Sequence, residues 1–253
     1  MSGVLFVWVR LDDAALGWYE NEYIPFMTAR NAKHALHCEI APTGLEGDEA
    51  GKLDAPWKLC TVYEMREVIS NVHGHVYNRI IYPPDELRGS LLKDSRWDVR
   101  SYTELKRWQA EDWDGSDVST ISSVAVMEWQ VALERHEEVL DFYIKEAAPT
   151  IASSPDVLRF RLFKIDNATV MEGMSQATLE KATLNTYLTV VELESDDWPW
   201  DVVVVLAEKP KWREYFDGQS VVKWRCSHYV VKRSYLDESK AATGSDDDNA
   251  GDK

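Results

Sequence analysis

The chain of 253 residues is short of several things, and each shortage removes a class of protein. No apolar run approaches the roughly 18 to 20 residues that a membrane-spanning helix needs. With 12 Gly and 9 Pro it is too poor in both for a fibrous or low-complexity chain. Its positive charge is outnumbered, 28 Lys+Arg against 44 Asp+Glu for a net of −16, and no basic stripe interrupts that field, so nucleic acid is excluded as a partner. The three cysteines, Cys38, Cys60 and Cys226, are odd in number, lack CxxC spacing and lie in apolar runs. They read as small core residues in a reducing cytosol rather than as disulfides or a zinc site, which makes the expected location cytoplasmic. The opening MSGVLFVWVRLDD lacks a cationic segment and a small-residue cleavage site, and reads as a first strand. Nucleotide, serine-hydrolase and zincin motifs (GxGxxG, GxxxxGK[ST], GxSxG, HExxH) are all missing.

What the chain has in quantity is aromatic surface, 11 Trp, 11 Tyr and 6 Phe, more than a core of this size needs and enough to line a pocket. It also repeats itself. WYENEYIP at 18–25 and FYIKEAAP at 142–149 place Tyr19, Glu22 and Pro25 against Tyr143, Glu146 and Pro149 at one offset of 124. Each segment follows a β-rich run, 4–11 and 124–131, and precedes a second strand, 35–40 and 157–165. Polar excursions near 42–55 and 166–185 read as surface loops. Third strands at 56–65 and 186–193 follow, then helical regions 66–93 and roughly 197–217, then last strands 97–105 and 221–235. The order β-α-β-β-α-β, written twice, is the ferredoxin-like pattern. Such a sheet leaves one apolar face bare, and two of them solve the problem face to face. The expected fold class is therefore α+β: tandem ferredoxin-like repeats, 1–108 and 122–236, forming a dimeric α+β barrel within one chain. The linker is 109–121, and the tail 237–253, with six acids and two Lys, is expected to be disordered.

WYENEYIP, DAPWKLCTVYEM and SRWDVRSYTELKRW resemble the EthD-like branch of the dimeric α+β barrel proteins, whose helix signature is close to WY-x-x-E-H-I-P. The resemblance covers most of 4–108 and, more weakly, 124–235. It implies cofactor-independent chemistry, often in secondary metabolism, on a small hydrophobic or aromatic substrate held between sheet and helices. It also implies no obligatory metal or cofactor. The signature histidine is replaced by Tyr23 in the first half and Ala147 in the second.

The catalytic candidates are Tyr23, as hydrogen-bond donor to an enol or carbonyl oxygen, His37 or His73 as base, and Glu22 beside Tyr23. Substrate-binding candidates are Trp8, Trp18, Tyr19, Tyr63, Glu64 and His75. Trp18 and Glu22 share one helical face, Tyr19 and Tyr23 the adjoining one. His34 and His37, three apart in a strand, point to opposite faces. His73 and His75 could form a metal half-site, but no further ligand has the right spacing. Glu64 and Glu192 occupy matching strand ends, as pocket carboxylates or as partners of Arg10, Arg66 or Arg100. His228 reads as a filled barrel-interior position. The favoured function is cofactor-free proton transfer on a polyketide-like or aromatic substrate, as decarboxylase, isomerase or cyclase. The alternatives are a cofactor-independent monooxygenase and a non-catalytic binding protein. The chain is expected as monomer or homodimer, away from membranes.

Overall fold

The computed structural model describes residues 3–41, 57–66, 82–115 and 117–236. The loop expected near 42–55, most of the helical region 66–93 with His73 and His75, and the tail 237–253 lie outside the described residues.

The first half contributes β1 (Gly3–Arg10), β2 (Ala32–Ile40), β3 (Leu59–Met65) and β4 (Arg96–Gln109). The second contributes β5 (Ser123–Val131), β6 (Val157–Glu172), β7 (Ser175–Thr178), β8 (Tyr187–Leu193) and β9 (Val222–Leu236). Eight strands pair antiparallel in the order β4-β1-β3-β2-β9-β5-β8-β6, and β6 pairs back with β4, which closes a barrel. Closure leaves no free edge on either four-stranded sheet, and β2–β9 and β4–β6 are the two seams between the halves. β7 hangs on β6 outside the ring.

Strand alternation sorts the side chains. Phe6, Leu36, Cys38, Cys60, Val62, Val126, Phe163, Leu188, Val190 and Tyr229 fill the barrel. Leu5, Val7, Val9, Ala35 and Tyr63 face outward under the first-half helices, and Ala125, Trp129, Phe160, Leu162 and Val191 do so in the second.

The outer helices come in matching pairs. In the first half, α1 (Asp13–Trp18) is capped by the Asp12 carboxylate, which accepts from Ala15 N at 2.8 Å. It runs through a π-helical turn at Tyr19–Tyr23 into α2 (Ile24–Asn31). The short α3 (Asp85–Arg88) follows later. In the second half, α4 (His136–Phe142), a π-helical turn at Tyr143–Ala147 and α5 (Ala148–Ala152) repeat the arrangement. Each turn is closed by an N–H five residues on, Ile24 to Tyr19 O and Ala148 to Tyr143 O. Pro25 and Pro149 follow, each lacking the N–H that would continue the regular ladder. The VVVVL run lies in α6 (Trp200–Glu208), and α7 (Pro210–Phe216) begins after Lys209, extended before Pro210. Among the described residues no helix is long and apolar enough to cross a membrane.

One expectation is corrected. The excursion 166–185 is not all loop: β6 continues to Glu172, turns at Gly173 (φ +52°) and returns as β7. A Cβ at Gly173 would meet the Lys93 carbonyl oxygen at 2.7 Å, so the turn admits only glycine. The segment 109–121, expected as the linker, packs as well as connects. Its Trp113, Val118 and Ile121 are buried against the barrel core, and the Trp113 indole bonds Thr120 Oγ1 at 3.1 Å.

Candidate functional site

Both helix–sheet clefts are built on the same hydrogen bond. In the first half the Tyr19 hydroxyl, at the start of the π-helical turn, donates to Thr61 Oγ1 on β3 at 2.8 Å. In the second, the Tyr143 hydroxyl and Thr189 Oγ1 on β8 are 2.7 Å apart. The ladders fix the remaining correspondences, because His37 lies opposite Thr61 and Leu162 opposite Thr189. By the same register Ala35 matches Phe160, and Val9 matches Trp129. The offset of the helix repeat matches Glu20 with Ile144.

The second cleft is filled. Trp129 packs at 4.6 Å from both Tyr143 and Tyr187, Phe216 stacks on Trp212 at 4.1 Å, and Phe160 and Leu162 close the sheet side. Trp129 Nε1 supplies a second hydrogen bond to Thr189, at 3.1 Å. His136 bonds the Tyr187 hydroxyl at 2.6 Å at the rim.

The first cleft has a valine and an alanine where the second has tryptophan and phenylalanine, and polar groups where it has aliphatic ones. His37, 1% exposed, has Nδ1 3.1 Å from Thr61 Oγ1. Glu20 Oε1 is 3.2 Å from Nε2, within reach but outside hydrogen-bond alignment, and Nε2 has no hydrogen bond among the described residues. Burial pushes the His37 imidazole below its usual range, with the Glu20 carboxylate opposing. The ring is therefore neutral and able to accept a proton. Tyr19 stacks on Tyr23 at 5.5 Å and meets the edges of His37 and Trp97 at 5.7 and 5.3 Å. Burial raises the Tyr19 and Tyr63 phenols, whose electrostatic neighbours include each other and Tyr235, so both stay protonated and neutral. The Tyr235 hydroxyl donates to the Glu20 carbonyl at 3.0 Å, tying β9 of the second half to this helix.

Of the expected site residues, Tyr19, Tyr23, His37 and Tyr63 come together here, and Trp18 packs against Tyr23 at 5.3 Å at the half-buried rim. Glu22 does not join them. It is exposed, because the wider π-helical turn pairs Trp18 with Tyr23 and brings Glu20, not Glu22, to His37. Trp8 and Glu64 are on the other side of the sheet. Their strand neighbours Val9 and Tyr63 face the helices, so alternation sends both into the barrel. Arg100 lies over the Trp8 ring at 5.3 Å and pairs with Asp98 and Glu128.

Glu64 and Glu192 meet at one barrel end and share Arg159 and Arg161 of β6, not Arg10, Arg66 or Arg100. Burial alone would raise both carboxyls. The two guanidiniums override it, holding Glu64 at about 2 and Glu192 below its usual value. His34, on the barrel side as its spacing from His37 required, is 3.6 Å from Glu64, and burial lowers it to about 4. His228 is corrected as well. It faces outward, bonds Ser123 Oγ at 2.9 Å and packs on Trp198 at 5.2 Å, while its neighbour Tyr229 fills the barrel.

Thr61, Glu20, Trp97 and Tyr235 were missed in the sequence. Thr61 had a signal: TVYE at 61–64 and TVVE at 189–192 repeat at a constant offset of 128. Among the described residues no group of three or more His, Cys, Asp or Glu could hold a metal ion.

No family model and no curated protein matches the chain. Solved structures do. An anthrone oxidase-like protein superposes with a TM-score of 0.54 at 11% identity, covering 93% of both chains. A chlorite dismutase variant of Candidatus Nitrospira defluvii gives 0.51 at 9% identity over 90% of each. A putative monooxygenase from Lactobacillus acidophilus gives 0.47 at 10% identity, covering 94% of this chain and 97% of that one. The fold is that of the dimeric α+β barrel proteins. Here both halves of the barrel are supplied by one chain.

Proposed function

We propose that the first-half cleft binds a small, largely apolar or aromatic substrate and catalyses proton transfer on it without a cofactor. His37 is the base, reached through Thr61 and Tyr19, and the phenols of Tyr23 and Tyr63 are the donors to developing charge on oxygen. The observation that carries this reading is the internal contrast. At one place in the fold the chain keeps a buried neutral imidazole beside Thr61, and at the matching place it keeps Leu162. Leu162 serves the fold at the matching place in the second half, so packing alone does not call for an imidazole at His37. Decarboxylation, isomerisation and cyclisation all share the step. Oxygenation of the deprotonated substrate is a second reading, supported by the anthrone oxidase-like neighbour.

The test is a metabolite comparison by mass spectrometry between the source strain, a strain lacking this gene, and the deletion complemented with wild type or His37→Leu. Wild type is expected to restore the profile and His37→Leu to leave it altered. An accumulating compound with an extra carboxyl marks a decarboxylase, an isomer marks an isomerase or cyclase, and a species short of one oxygen marks a monooxygenase. Full complementation by His37→Leu overturns the base assignment. An unchanged profile on deletion overturns the enzyme reading in favour of a binding protein.

A further inference from the structure

A neutral imidazole has one N–H proton, and its neighbours decide which nitrogen carries it. Tyr19 gives its phenolic proton to Thr61 Oγ1, so the Thr61 proton is directed to the other neighbour of that oxygen, His37 Nδ1 at 3.1 Å. Nδ1 then accepts, and the ring proton is on Nε2, 3.2 Å from a Glu20 oxygen that can only accept. The direction runs one way, Tyr19 to Thr61 to His37 to Glu20. Its inner end is wholly buried, whereas the Glu20 side chain is 35% exposed.

We infer that Glu20 is a positioning residue whose nearby carboxylate favours the Nε2–H tautomer of His37, leaves the basic Nδ1 toward Thr61 and Tyr19, and serves as the outlet through which a proton taken up in the cleft reaches water. This rests on the first-half cleft being the reactive site. The step balances in protons. A proton arriving at the Tyr19 oxygen releases the phenolic proton to Thr61, Thr61 passes its own to Nδ1, and Nε2 gives its proton to Glu20 after a small rotation of that exposed side chain. The substrate's bond to the transferred hydrogen breaks and leaves its electron pair on the substrate, the other changes are O–H and N–H bonds of the relay, and one negative charge moves from Glu20 to the substrate. A reaction that later returns a proton to the substrate runs the chain backward and resets it. The charged groups facing the ring are Glu20 from the π-helical turn, Glu39 from its own strand and Arg233 from β9. The second half keeps the Tyr143–Thr189 pair but has Leu162 and Ile144 in place of His37 and Glu20, so the outlet belongs to the first half alone.

Long-range proton–nitrogen NMR of the full chain with labelled histidine tests this without any substrate. Six histidines are present, and His37→Leu assigns the relevant signal. The expected results are an Nε2–H tautomer for His37 in the wild type, a mixture of tautomers in Thr61→Val, and a lower His37 titration midpoint in Glu20→Gln, which removes a charge that favours the imidazolium. Glu39→Gln is expected to move the midpoint and leave the tautomer alone. An Nδ1–H tautomer in the wild type overturns the inference, as does a Glu20→Gln midpoint identical to wild type. If Glu20→Gln does not fold, the wild-type tautomer and Thr61→Val decide. Failure here with His37→Leu still unable to restore metabolism removes the outlet and keeps the base. The expected spectra with full complementation by His37→Leu do the reverse.

Discussion

His37→Leu writes into the first cleft what the second already has, and the structure sets its consequences for stability and function apart. The substitution leaves the buried Thr61 hydroxyl proton without His37 Nδ1 as its acceptor, which costs about 1–3 kcal/mol. It strands no buried charge, because Glu20 is one-third exposed and regains water. Thr61 Oγ1 keeps its bond from Tyr19. Against the loss, a buried leucine contributes roughly 1.5–3 kcal/mol of apolar transfer. The balance is within about 2 kcal/mol of wild type, a shift of at most ~8 °C for a domain of this size. His37→Ala differs, because it leaves a void lined by Ala35, Tyr63 and Tyr19, and truncations of this kind cost about 2–5 kcal/mol. Loss of a general base costs about 10²–10⁴ in rate. Thermal melts of the three proteins, run beside the complementation assay, check both halves of the argument. A His37→Leu variant that melts as low as His37→Ala would refute the correspondence between the two clefts on which the functional reading stands.

Glu192→Ala leaves Arg159 and Arg161 with Glu64 as their main buried counter-charge and is expected to cost about 3–5 kcal/mol in a urea melt; a loss under about 1 kcal/mol contradicts the buried network. Stability falls on acidification in two windows. His34 at about 4 in the folded chain lies below its ordinary 6.5, so the unfolded chain takes the proton first and roughly 3 kcal/mol is lost as pH falls from 6.5 toward 4; His34→Gln removes that step, and an unchanged pH profile in the variant refutes it. Glu64, held at about 2, extends the loss from its unfolded value near 4.5 down to about 2. Trp113→Ala is expected to destabilise the whole barrel by about 3–5 kcal/mol in one cooperative transition, whereas a passive linker would leave the melt unchanged.

The repeat was legible because the helix signature and the Glu-ended third strands recur at nearly constant offsets, and strand order followed from it. The π-helical turn was not, since Tyr19 to Tyr23 has nothing in its composition to separate it from an ordinary helix, and that one added residue per turn exchanged Glu22 for Glu20. The sheet faces of Trp8 and Glu64 followed from simple alternation, once Tyr63 or Val9 was given to the helix side. The strand from 166 to 172 was hidden by Asp166 and Asn167 near the bulge between Ser101 and Tyr102, which look like turn residues. The linker hid its role because three apolar side chains, Trp113, Val118 and Ile121, are scattered among polar ones.

The buried charges also explain why two such halves stay together in one chain. Register places His34 at the position of Arg159, and Leu36 at that of Arg161, so the two arginines that satisfy both glutamates come from the second half alone. A barrel built from two first halves would bury a pair of Glu64 carboxylates with histidines, and the arginine each half brings near them, Arg107, is one-third exposed and 3.9 Å away. One built from two second halves would crowd four guanidiniums around two Glu192 carboxylates. Only the mixed pairing sets two buried arginines against two buried glutamates, with Glu104, Arg107 and Lys33 around them. An uncompensated buried charge costs several kcal/mol, so each like-with-like pairing is penalised at the seam where the halves meet. That asymmetry releases the clefts from obeying the same symmetry. Once the second half had supplied both arginines to the shared barrel end, its own helix–sheet junction could fill with Trp129 and Phe160, and the first could keep the imidazole, the carboxylate and the smaller side chains.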